Sequence, residues 1–402
     1  MTAPRTAAVD DALRRLEQTE PEIRAWVRVD PDGARAAAER APDGPLRGVP
    51  FGVKDIVDVA GLPTECGTSL RRGRIAAHDA WLVDRLRHAG AVPLGKTVTT
   101  EFAYFQPGPT RNPHHPAHTP GGSSSGSAAA VAAGVVPLAL GSQTAGSLTR
   151  PASYCGVAGY VAPVGAWSMR GFAGLSPSLD APGLLATRVS DLARAVEAVD
   201  GTRAEEPQSS RILVWPGTEL TDVAPEMLNA LLRTRQALAA SGAATDDLGT
   251  QARTSALADA HATVMAYEAA RSLATEHAEH AEHPGALSAP LRDLLDRGRG
   301  TPEADYRAAL EAARTARARL LELLSDADAI LGPAAPGPAP HGLGATGTPV
   351  LSRPWQLLGL PVVTVPGHRD PRGMPLGLQL VGHPDRVARL LGAAARAEEA
   401  IR

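Results

Sequence analysis

The chain has 402 residues, 44% of them hydrophobic, and a formal net charge of −3 at neutral pH. That is ample apolar material for a large core, and the charge gives no electrostatic affinity for nucleic acid or a membrane surface. Two cysteines, Cys66 and Cys155, make no disulfide framework and read as small buried side chains.

Residues 1–27 lack the apolar centre of a signal peptide and read as an amphipathic helix, so the cytoplasm is the expected compartment. No apolar run approaches the ~20 residues that a membrane helix needs. Helices are expected over 6–19 and 31–41, and a strand over 49–54 ends on Lys54. A helix over 77–89 leads into a strand over 91–95. The most informative stretch follows, from Thr119 to Pro151. Gly121 to Gly126 is a tight glycine–serine turn, and Ser125 to Gly134 is almost all alanine, which favours helix and close packing. Val135 to Leu140 reads as a short apolar strand, Gly141 to Ser147 turns back, and Pro151 stops the chain soon after. Beyond it, 188–199 reads as helix, 212–215 as strand, and 225–241, 254–283 and 302–325 as helices. Ala329 to Leu331 is another strand. Proline and glycine crowd 332–349, which is expected to loop over the sheet close to the serine loops. There is no internal repeat.

Two loops that each expose a serine beside free backbone N–H groups suit acyl-transfer chemistry. A serine hydroxyl needs a base, and no histidine lies in these motifs, which argues against a Ser–His–Asp arrangement. Lysine can serve if burial keeps it neutral. The apolar flanks of Lys54 suit such burial. Lys96 reads as structural, and Asp55 as ordering the nearby backbone. The histidines of Glu276 to His283 read as a solvated helical face, and His114, His115 and His118 as a loop cluster. No metal and no cofactor is called for.

Gly48 to Asp55 (GVPFGVKD) and the two serine loops stand in the order found in the amidase signature family of serine amide hydrolases, which the chain resembles. Gly90 to Thr97, Glu101 to Ala103 and Asn112-Pro113 resemble its connecting segments, and Trp355 to Pro366 and Met374 to Gly382 its last strands. The resemblance covers roughly 45–200 and 325–400. It implies an α/β fold with a large, mostly parallel mixed sheet covered by helices on both faces. It also implies one domain over 1–402, with a less typical helical segment at about 220–325. Length alone suggests two or three domains.

The resemblance implies Ser147 as nucleophile, Ser123 as proton relay behind a cis Gly122–Ser123 peptide, and Lys54 as base. Backbone N–H groups of Thr144, Ala145, Gly146 and Ser147 hold the oxyanion, and water hydrolyses the acyl-enzyme. Arg150, Ser124 and Tyr104 form the expected substrate-binding set. A helical turn after Ser147 puts residue 150 on nearly the same side, where a guanidinium fork suits a carboxylate. This is similar to signature amidases acting on small acids that carry an amide. The expected partner is thus a small-molecule amide, and a homodimer is admitted.

Three departures stand out. Gln143-Thr144-Ala145-Gly146-Ser147 replaces the usual Asp-Thr-Gly-Gly-Ser, position 161 is valine rather than lysine, and the arginine follows the nucleophile by three residues instead of two. Ala145 gives up glycine's freedom at positive φ. Rival readings are an acyltransferase using the same acyl-enzyme, the glutamine-hydrolysing subunit of a tRNA-dependent amidotransferase, and a non-catalytic binding protein on the same fold.

Overall fold

Runs of four to eight residues, most of them apolar, become the strands of one sheet in the computed structural model, which describes residues 5–206, 210–249, 252–283 and 285–401. The strands are β1 (Trp26–Val29), β2 (Pro50–Lys54), β3 (Val92–Thr97), β4 (Leu138–Gln143), β5 (Ala158–Val161) and β6 (Ala181–Ala186). They continue as β7 (Arg211–Val214), β8 (Ala244–Asp247), β9 (Ala329–Pro333), β10 (Val362–Arg369) and β11 (Pro375–Val381). Their order is β1-β3-β2-β4-β6-β5-β10-β11-β9-β7-β8. N-terminal and C-terminal motifs therefore share a sheet. Helices Ser125–Ala132, Thr149–Cys155, Val189–Asp200 and Val387–Ile401 pack on it.

The sheet is mixed, as expected, but parallel pairing is the minority. Four of the ten neighbouring pairs are parallel and six antiparallel. Strands buried on both faces read as unbroken apolar runs in either direction. Here β4, helix Thr149–Cys155 and β5 form a crossover that leaves a gap one strand wide. β6 fills it, running antiparallel to both neighbours.

Some boundaries differ from expectation. The strand expected over 135–140 lies at Leu138–Gln143, because Gly134 at φ 69° ends the preceding helix and Val135 to Pro137 make the turn. The ladder to β6 then carries the strand past its last apolar residue into Ser142 and Gln143. The helix expected over 254–283 breaks at Leu273 into Thr254–Ser272 and Ala274–Glu282. The face of the second piece is not simply solvated. His277 Nε2 lies 3.1 Å from Asp296, and His280 Nδ1 accepts from the Leu287 N–H at 3.1 Å.

Lys96 and Asp55 form a buried ion pair at 2.9 Å. Lys96 also donates to the Pro63 carbonyl at 3.0 Å and to Thr64 Oγ1 at 2.8 Å. Breaking one side leaves the other charge buried and unpaired. Lys96→Met is therefore expected to lower stability by about 3–5 kcal/mol in urea denaturation. A loss below about 1 kcal/mol would show that the pair has little structural weight.

Candidate active site

β2 and β4 are parallel neighbours, so their carboxyl ends open on the same edge of the sheet. Ligands of open α/β sheets collect at such ends. Lys54 is the last residue of β2, and the loop from Thr144 to Ser147 follows β4 directly. Lys54 is fully buried, and its Nζ donates to Ser123 Oγ at 2.7 Å and to Ser142 Oγ at 2.8 Å. Burial pulls its pKa down to about 7, against the opposing pull of the Asp180 carboxylate. A neutral ammonia-like nitrogen has a lone pair for a serine proton; a charged one has none. The Gly122–Ser123 peptide is cis, as the resemblance implies.

Ser147 is 8% exposed and lines a small cavity of about 20 Å³, room for about one water. Ser123, Tyr104, Thr144, Ala145 and Arg150 line the same cavity. Among the described residues, no hydrogen bond takes up the N–H of Thr144, Ala145, Gly146 or Ser147. Four free donors thus cluster beside one serine hydroxyl. Gly146 sits where a Cβ would come within 2.9 Å of Pro349, so only glycine fits. Ala145 is not at positive φ, so the loop does not need glycine there.

Ser124 departs from its expected role. It does not line the cavity; its N–H donates to the Ser147 carbonyl at 3.0 Å, and its hydroxyl faces the Ser142 backbone at 3.4 Å. It ties the two serine loops together instead. Tyr104 does line the cavity, and its hydroxyl accepts from Arg297 at 3.4 Å.

Arg150, at the start of helix Thr149–Cys155, is almost completely buried. Nη2 donates to the Gly122 carbonyl at 2.7 Å and to Thr346 Oγ1 at 3.1 Å. Its Nε and Nη1 have no protein partner. Burial lowers its pKa to about 10, which leaves it charged at neutral pH. Unpartnered buried donors on a cation are costly to leave unmet.

Several site residues are not legible in the motifs. Ser142 is the second partner of Lys54. Asp180 accepts from Thr144 Oγ1 at 2.5 Å and from the Leu175 and Ser176 N–H groups at 2.7 and 3.0 Å. Burial raises its pKa to about 6, against these bonds. Thr346 and Pro349 close the cavity from the loop expected to lie over the sheet. The only advance signal for Ser142 is a hydroxyl at the polar end of an apolar strand.

A sequence model of the amidase family matches residues 7–391. The chain belongs to the amidase signature family. It is similar to a glutamyl-tRNA(Gln) amidotransferase subunit of Lachnospira eligens, 30% identical over 94% of this chain and 91% of that one. A solved amidase structure superposes with a TM-score of 0.89 at 31% identity, covering 99% of this chain and 96% of that one. The peptide amidase of Stenotrophomonas maltophilia superposes at 0.80 with 27% identity, over 99% and 93%. The protein is thus an enzyme of amide C–N bonds. The amidase loop's usual aspartate is here Gln143, whose carbonyl accepts from the Leu148 and Thr149 N–H groups at 3.1 and 3.0 Å. Its amide donates to Gln356 Oε1 at 3.1 Å. A neutral amide oxygen thus holds the start of the helix behind the loop. Where amidases commonly have a lysine, Val161 is buried in β5.

Proposed function

We propose that this protein hydrolyses a small amide that carries a carboxylate, through an acyl-enzyme on Ser147. Neutral Lys54 accepts the Ser123 proton, and Ser123 accepts the Ser147 proton. Ser147 Oγ then adds to the amide carbonyl, and the oxygen becomes negative beside the free N–H groups of residues 144–147. The relay returns a proton to the leaving nitrogen, the C–N bond breaks, and water repeats the sequence to release the acid.

The observation that carries the substrate reading is Arg150, a buried cation lining the cavity that holds Ser147, with its Nε and Nη1 donors unpartnered. A buried guanidinium with open N–H donors suits a carboxylate through charge-assisted hydrogen bonds. The small cavity favours a short acyl part. Glutamine is an amide of this class. The similarity to glutamyl-tRNA(Gln) amidotransferases therefore supports a second reading, glutamine hydrolysis that depends on partner subunits.

A screen of carboxylated amides and their neutral analogues, read by ammonia release, tests both. Wild type is expected to prefer the acid by about 100-fold in kcat/KM, the weight of a charge-assisted hydrogen bond at ~3 kcal/mol. Arg150→Ala is expected to cost the carboxylated amide far more than its neutral analogue. Equal losses on both substrates would make Arg150 a structural residue. Glutamine turnover only with added partner subunits would favour the second reading. Acyl hydroxamate formed with hydroxylamine, at the expense of acid, would point to acyl transfer.

A further inference from the structure

Helix Thr254–Ser272 belongs to the segment least like the family motifs, yet it roofs the candidate site. Three of its residues, His261, Met265 and Glu268, recur at the spacing of one helical face. Met265 lines the cavity. Glu268 accepts from Ser176 Oγ at 2.7 Å and from the Ser178 N–H at 3.0 Å, next to the two N–H groups that hold Asp180. His261 is fully buried, and its Nε2 lies 2.8 Å from the Thr144 carbonyl.

A carbonyl oxygen only accepts, so Nε2 carries the hydrogen and donates it. Burial pushes the imidazole pKa down to about 3, so the ring stays neutral throughout the working range. Its other nitrogen, Nδ1, has no partner. Nε2 is committed to Thr144, which leaves this ring no part in moving the Ser147 proton.

The bond acts on the peptide plane. In a planar trans peptide the C=O of one residue and the N–H of the next point in opposite directions. Holding the Thr144 carbonyl therefore aims the Ala145 N–H. The Thr144 side chain is held independently by Asp180 at 2.5 Å. Two bonds from two different segments thus hold one residue of the loop, one by its side chain and one by its carbonyl. We infer that His261 is a positioning residue that aims the Ala145 N–H at the developing oxyanion by holding the Thr144 carbonyl. The inference rests on the amide-hydrolase reading of Ser147.

The test uses a fluorophosphonate probe, whose phosphoryl oxygen occupies the oxyanion position when Ser147 is phosphonylated. The serine O–P bond forms, fluoride leaves, and the serine proton passes to the relay. His261→Phe keeps a ring of similar size without the donor. His261→Gln keeps a side-chain N–H at similar reach. The phenylalanine variant is expected to lower kinact about 10- to 100-fold, below the ~10²–10³ that loss of a whole oxyanion donor costs. Its KI should change less than about threefold, and the glutamine variant should recover to within about fivefold of wild type. His261→Leu replaces the phenylalanine variant if that one does not fold. An unchanged kinact without the donor would overturn the inference alone. So would equal loss in the donor-free and glutamine variants, which marks simple packing. Wild type that is never labelled at Ser147 would overturn the hydrolase reading and this inference with it.

Discussion

Ser147→Ala is expected to lower kcat by about 10⁵- to 10⁶-fold on the best amide found by the screen. The change removes the only atom that can bond to the acyl carbon in the proposed scheme. The free N–H groups and Arg150 stay, so residual turnover stems from binding and electrostatics alone, about 10³–10⁴ over water in comparable hydrolases. Stability should hardly move. Ser147 is small and borders the cavity, and deleting one oxygen there costs about 1 kcal/mol or less, a shift of a few degrees in Tm at most. The measurement pairs kcat with a melting curve and with mapping of the fluorophosphonate adduct by mass spectrometry. An adduct still formed in Ser147→Ala, or a kcat within about 100-fold of wild type, would place the nucleophile elsewhere.

The second large effect concerns Lys54. Removing a general base costs typically ~10²–10⁴-fold, and Lys54→Met is expected near the upper end because Ser123 and Ser147 then share no acceptor. Lys54→Arg should be no better, since a guanidinium stays protonated at any working pH. The sign of the pH dependence follows from the depressed pKa. Only the neutral amine accepts a proton, so kcat/KM should rise about tenfold per pH unit up to about pH 7 and level off above it. Folding is linked to the same group. Between about pH 7 and the ordinary lysine value of 10.5 the unfolded chain binds a proton that the folded chain does not, so stability rises with pH across that window. Lys54→Met should flatten both curves. An arginine variant with a tenth or more of wild-type activity would remove lysine from the base role.

The residues legible in the sequence are those whose chemistry is concentrated in short segments. Lys54, Ser123, Ser147 and Arg150 each sit in a motif, and the chain brings them to one edge of the sheet. Asp180 and His261 cannot be found that way, because each acts on the loop from another segment and nothing local marks it, and Ser142 shows only as a hydroxyl at the polar end of an apolar strand. The strands divide similarly. β6 contains Pro182 and Gly183, which read as breakers, although the strand is fully buried between β4 and β5. β8 is mostly polar and exposed at the sheet edge, so its sequence has no apolar pattern to read. β1 is only four residues long, and Gly159 interrupts β5. Helix Ala289–Gly300, with two late glycines and a proline in its first turn, has the composition of a loop. Parallel and antiparallel runs look alike when both faces are covered, so the balance of strand directions is not written in the apolar pattern.

The cavity walls come from distant parts of the chain, and this governs when the site can exist during synthesis. Ser147 leaves the ribosome early. Thr346, which holds Arg150, and Pro349, which packs on Gly146, follow about 200 residues later. At roughly 5–20 residues per second the gap is on the order of 10–40 s. During that interval the nascent chain carries its serines without a closed cavity, and β5 lacks the partner that β10 later supplies. On the proposed mechanism the growing polypeptide is expected to be inactive until those late segments arrive. A chain cut before residue 346 lacks β10 and β11 and is expected to be inactive.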